Sequence, residues 1–147
     1  MQRIICVLIV LASPLLLAAD DAVQKELQAL QGTWKAVSLE AEGKPVPKEA
    51  IPQFIYIIGA DGKATGKMAQ GGYSAKVTID PTKNPKTMDN LHESGTHKGK
   101  KQHAVYKLEG DKLTVCITAP GSSEVHRPKD FSTRDSANVL FVFKRVK

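Results

Sequence analysis

Apolar and polar positions along this chain fall into three regimes. From Ile4 to Leu17 the residues are almost unbroken apolar, preceded by Arg3 and followed by the small pair Ala18-Ala19 and the acidic pair Asp20-Asp21. Over 20–30 the apolar residues thin out to Val23, Leu27 and Leu30, spaced i, i+4, i+7, which predicts one face of a short amphipathic helix stopped by Gly32. A lone helix of that length needs a surface to lie against, so it is expected to cap the end of whatever follows. From Thr33 the spacing changes to short β-type runs divided by turn residues, the pattern of an all-β chain. Eight strands are predicted, over 33–41, 53–58, 63–69, 73–79, 86–92, 102–108, 112–118 and 138–146.

The connections carry their own chemistry. Gly59-Ala60-Asp61-Gly62 and Glu109-Gly110-Asp111 supply residues that tolerate positive φ, which a tight hairpin needs, so the strands they join should be antiparallel neighbours. Asp80-Pro81-Thr82-Lys83-Asn84-Pro85 reads as a double turn, each proline following an Asx residue. Two connections are longer: 42–52, with Pro45, Pro47 and Pro52, and 119–137, polar and broken by Pro120, Gly121 and Pro128. Both are expected on the surface. In 112–118 the apolar Leu113, Val115 and Ile117 alternate with Lys112, Thr114, Cys116 and Thr118, one buried face against one milder face. The last strand, with Val139-Leu140-Phe141-Val142-Phe143, is apolar on both faces, which predicts cover on both sides from the N-terminal helix or a partner. Eight antiparallel strands with short connections can close into an up-and-down barrel, which removes exposed sheet edges.

The first 19 residues read as a signal peptide, cleaved after Ala19, with 20–147 as the mature domain and an extracytoplasmic (periplasmic or secreted) destination. Leu16 or Leu17 stands where a second small residue would favour the cleavage site, so an uncleaved anchor is the alternative; Pro14 and the shortness of the run argue against a spanning helix. Cleavage would remove Arg3 and no acidic residue, lowering the formal charge of +6 by one. Such a moderate basic excess biases the surface toward anions and says nothing of fold. The densest patch, Lys98-Gly99-Lys100-Lys101, has no interleaved aromatics and no reader motif, so nucleic-acid binding is not expected. With Cys6 inside the leader, the mature chain keeps only Cys116 and forms no internal disulfide; its stability must come from its core.

Gly32-Thr33-Trp34, at the start of the first strand and just after a short helix, resembles the Gly-x-Trp motif of the lipocalins. In that family an arginine of the last strand packs across the tryptophan at the closed end of the barrel, and Arg145 stands at the matching place, with Lys144 beside it. A guanidinium on an indole gains cation–π energy while reaching backbone carbonyls. A broader resemblance spans most of the mature chain: Leu30-Gln31-Gly32-Thr33-Trp34-Lys35, the 80–86 turn, Tyr106-Lys107-Leu108-Glu109-Gly110-Asp111 with Leu113-Thr114-Val115-Cys116, Arg127-Pro128, and Phe143-Lys144-Arg145. These stretches look like an uncharacterised lipocalin-like domain family abundant in Planctomycetes. The resemblance implies an eight-stranded antiparallel up-and-down barrel with a short N-terminal helix, and it implies no biochemical activity.

Candidate chemistry is sparse. His92, His97, His103 and His126 come from separate segments with no metal-ligand spacing, so neither a metal nor a cofactor is expected. Cys116, mid-strand, reads as a packing residue rather than a reactive thiol. Ser122-Ser123, Glu124, His126 and Asp130 hold triad residue types in one loop without a nucleophile elbow, and Glu40 and Glu42 read as solvated, so catalysis is not expected. Few aromatics and the small residues Ala64, Ala69, Ala75 and Ala104 would leave room inside a barrel, with 42–52 over its mouth and Val46, Ile51 and Phe54 as candidate lining groups. The expectation is a non-catalytic extracytoplasmic binding protein for a small apolar or amphipathic molecule, with no stable membrane insertion after cleavage. The rival is an interaction or structural module whose barrel is filled and whose outer surface acts.

Overall fold

The computed structural model describes residues 15–119 and 126–147. Helix α1 (Leu15–Leu30) leads into β1 (Gly32–Ala41), followed by the two-residue β2 (Lys44–Pro45) and a 3-10 turn at Lys48–Ala50. Seven further strands come in order: β3 (Ile55–Ile58), β4 (Lys63–Met68), β5 (Gly71–Asp80), β6 (Lys86–His92), β7 (Lys101–Glu109), β8 (Lys112–Thr118) and β9 (Asn138–Arg145). Each strand from β3 to β9 pairs antiparallel with the next, β1 pairs with β3, and β9 returns to β1, closing the sheet. The result is an eight-stranded antiparallel barrel, with β2 a short hairpin extension at the end of β1. All eight predicted strands are present, in the predicted order.

Alternation along the strands fixes what enters the barrel. On β8, Leu113, Val115 and Ile117 face in, opposite Phe143, Phe141 and Val139 of β9. A bulge between Ala36 and Ser38 shifts the phase of β1 and bends it as it crosses β9. The lower lumen is filled by Trp34, Ile58, Met88, Tyr106 and Leu113, all but fully buried. Helix α1 seats Leu27 and Leu30 on this cluster, with Val23 partly buried beside them, the three residues whose spacing marked its apolar face. It is also pinned by Glu26, which accepts from Lys86 Nζ at 2.7 Å and from the Tyr106 hydroxyl at 3.1 Å.

Two expectations change. The helix starts at Leu15 rather than near Asp20, so the predicted cut after Ala19 falls within it, while the rest of the leader lies outside the described residues. No helix among the described residues is long and apolar enough to cross a membrane. The outer wall near β9 is not covered by α1, which is committed to the barrel's base; residues 126–137 of the same chain are held on the flanking strands β8 and β1. This strap is tied down along its length, beginning with the carbonyl of His126, which accepts from the Thr118 hydroxyl at 2.9 Å. Arg127 donates to the carbonyls of Met88 and Ala104, at 3.3 and 2.9 Å; the Cys116 thiol reaches the carbonyl of Ser132 at 3.7 Å; and Thr133 donates to Glu40 Oε1 at 2.6 Å while accepting from Gly43 N at 2.9 Å. Val105 and Cys116 point outward by alternation and are nevertheless buried, because the strap lies over them.

Candidate functional site

The two ends of the barrel differ. At the base, Trp34 pairs with Arg145 across β1 and β9, and the guanidinium lies over the indole at 4.2 Å from the ring centroid. The indole N–H donates to the carbonyl of Leu30 at 2.9 Å, and Arg145 donates to the carbonyls of Gln31 and Ala29 at the end of α1. These carbonyls are among those a helix C-terminus leaves unpaired, so one side chain answers them and brings a cation to the negative end of the helix dipole. Gly32, with φ +133°, lets the chain turn here, and a Cβ on it would stand 2.9 Å from the Arg145 guanidinium. Asp111, across the rim, holds the Arg145 Nε at 3.3 Å.

Above this plug the lumen opens into a cavity of about 200 Å³. One wall is aromatic and aliphatic: Phe54 and Tyr56 of the β3 side face Phe141 and Phe143 of β9, with Phe54 edge-on to both phenylalanines at 5.5 and 5.6 Å, while Val115, Ile117 and Met88 fill in below. The opposite wall is polar. Asn90 and His92 of β6, Gln102 of β7, Tyr73 of β5 and His97 of the β6–β7 connection line it. Tyr56 donates to Asn90 Oδ1 at 3.0 Å, and His92 Nε2 lies 2.6 Å from Gln102 Oε1. The Tyr73 ring lies tilted against the His92 ring, centroids 4.6 Å apart, in a place open to it because residue 66 opposite is glycine; a Cβ there would collide with the Tyr73 ring. Burial raises the Tyr56 hydroxyl above its ordinary value and pushes Tyr73 up to about 12, so both stay neutral donors at any physiological pH. Among the described residues, none that lines this cavity is Asp, Glu, Lys or Arg.

The residues singled out from the sequence are scattered. Phe54 lines the cavity, Ile51 packs against the core cluster at its edge, and Val46 is half-buried in the hairpin beyond β1, away from the lining. Ala64, Ala75 and Ala104 are buried in the barrel wall, whereas Ala69 lies exposed in the β4–β5 turn. The histidines diverge: His92 faces the lumen, His97 its rim, and His103 the outside, where Asp89 holds its Nδ1 at 2.9 Å and pairs with Arg127 at 2.6 Å. No grouping of potential metal ligands occurs among the described residues. Ser122, Ser123 and Glu124 lie outside the described residues; His126 is exposed and Asp130 Oδ1 accepts from Ser132 N at 2.8 Å. Glu40 is no solvated carboxylate but the acceptor of the Thr133 latch, while Glu42 is exposed at a positive-φ turn. Lys98 and Lys100 are exposed in the connection that follows His92, and Lys101 is exposed at the start of β7, beside the open rim.

Asn90, Gln102 and His92 were missed as lining residues. Met88, Asn90 and His92 alternate inward on one strand, a signal present in the sequence, but polar residues at inward positions read as a solvent-facing phase until the barrel's closure assigns the faces.

The class these features define is a closed antiparallel β-barrel, plugged at one end and open at the other, compatible with a lipocalin-like fold. Compared with known proteins, the chain matches no family model, no curated sequence and no solved structure to a significant degree.

Proposed function

We propose that this protein is a non-catalytic extracytoplasmic binding protein that holds a small apolar or amphipathic molecule in the barrel lumen. The observation that carries this reading is the cavity of about 200 Å³ above the Trp34 plug, walled mostly by apolar side chains and reached from the open end. A cavity of about 150 Å³ lined by Leu, Ile and Phe binds benzene, so this volume suits a guest of about one ring or a short chain. It lies below the usual range of drug-sized pockets, which argues against a bulky lipid. The leader-like pattern of residues 1–19 supports export, and the motifs around Trp34, the 80–86 turn and Arg145 support placing the chain with the lipocalin-like family abundant in Planctomycetes.

A second reading, a protein-interaction or structural module acting through its outer surface, draws on the filled lower half of the barrel and on the basic 98–101 segment at the rim. Native mass spectrometry of residues 20–147, purified gently from an exporting host, separates the two. A discrete adduct released on denaturation, of a mass suited to one ring or a short chain, is the expected outcome. A bare protein mass that stays unchanged after exposure to a panel of small lipids and metabolites would favour the surface reading.

A further inference from the structure

The polar wall of the lumen holds one buried atom that the fold leaves unanswered. His92 is 3% exposed, and its Nδ1 has no hydrogen-bond partner among the described residues. Its other nitrogen is committed. Nε2 faces Gln102 Oε1 at 2.6 Å, and the Gln102 amide nitrogen donates to the carbonyl of Thr118 at 3.0 Å. A carbonyl only accepts, so it is the Gln102 nitrogen that must face Thr118 and the oxygen that must face His92. An amide oxygen also only accepts, which puts the proton of the neutral imidazole on Nε2 and leaves Nδ1 a bare lone pair.

Asn90 stands two residues away on the same strand and so on the same side of the wall. Its Oδ1 takes the Tyr56 hydroxyl, which leaves its amide N–H groups as donors. An acceptor and a donor two residues apart on one wall complement a hydroxyl, which gives one hydrogen bond and takes another. With no charged side chain among the described lining residues, an ionic guest would be buried without a counter-charge.

We propose that the lumen selects a small neutral guest of about one ring whose hydroxyl donates to His92 Nδ1 and accepts from the Asn90 amide, while its apolar body lies against Phe54, Phe141 and Phe143. This rests on the lumen being the binding site. Phenol and toluene test it, since they match in size and differ in the hydroxyl. Affinities for the two are measured by calorimetry on the native protein and on H92F, which keeps a ring and removes the lone pair. The expected result is a phenol-to-toluene affinity ratio about tenfold lower in H92F, as the loss of one hydrogen bond implies, with toluene affinity held within about twofold. In the native protein, the ¹⁵N resonance of His92 Nδ1 should move toward the hydrogen-bonded range with phenol and stay in place with toluene; this readout stands if H92F folds poorly. An unchanged ratio in folded H92F, or a still Nδ1 resonance with phenol bound, overturns the proposal while leaving the lumen as the binding site. Binding of neither probe overturns both readings.

Discussion

Arg145 concentrates several interactions in one side chain: an indole beneath it, two helix-end carbonyls before it and the Asp111 carboxylate at its side. Lysine could supply the charge but not the planar fork that reaches two carbonyls at once. We expect Arg145→Leu to lower stability by about 2–4 kcal/mol in urea titrations, from lost cation–π and charge-assisted hydrogen bonds, with a shift in the emission of Trp34, the only tryptophan. Arg145→Lys should recover less than half of that. Cys116 makes the opposite point, a chemically capable group silenced by its surroundings. It is fully buried under the strap, and burial first, then the nearby Asp130 and Glu40 carboxylates, push its thiol up to about 11. The 20–147 domain, in which Cys116 is the one cysteine, should therefore resist a thiol reagent at pH 8 and react with one equivalent per chain only on unfolding; prompt reaction in the native state would mean the strap is open.

At the scale of elements, two non-barrel segments finish the barrel in different ways. Helix α1 plugs the base with Leu27 and Leu30 and fastens to β6 and β7 through Glu26. The 126–137 strap is tied to β6, β7 and β8 and reaches β1 through Thr133. Thr133→Val removes the donor to Glu40 and the acceptor for Gly43, leaving a carboxylate with a lost partner. A loss of about 1–3 kcal/mol is expected. Limited proteolysis should then cut within the strap before the barrel, whereas loss of protection across all strands together would show that strap and barrel are one cooperative unit. The helix and the strands were legible in the sequence because their periodicities, 3.6 and 2, are local. The strap was not, since nothing in the composition of 126–137 distinguishes a polar loop that hangs free from one laid against a wall by Arg127 and Thr133.

For the whole molecule, all three tyrosines report on the same closed interior. Tyr56, Tyr73 and Tyr106 are all held above the ordinary phenol value, chiefly by burial, with Glu26 adding to the effect at Tyr106. The folded state therefore binds these protons more tightly than the unfolded chain does. Their contribution to stability is whole below the unfolded value near pH 10 and is lost as pH climbs from there toward the folded values, about 12 for Tyr73. Tyrosinate absorbance should stay low through pH 10 and then rise in one step together with loss of β-sheet circular dichroism. A smooth rise of one tyrosine near pH 10 without unfolding would show that one of the rings is wet.

Much of this architecture was written locally. Alternating residues such as Leu113, Val115 and Ile117, the Gly-rich and Asp-rich turns, and the Val23–Leu27–Leu30 face specify strands, hairpins and a helix through contacts a few residues apart. That Trp34 and Arg145 would meet came from the resemblance of Gly32-Thr33-Trp34 to the lipocalin motif, not from any local pattern. What the tertiary structure alone decided is the interior: that Asn90, His92 and Gln102 converge on one wall, that Val46 stays out of it, and that a cavity remains above a filled base. Those outcomes depend on how β9 registers against β1 when the sheet closes. Closure is a property of all eight strands together, and no local pattern of hydrophobic and polar residues encodes it.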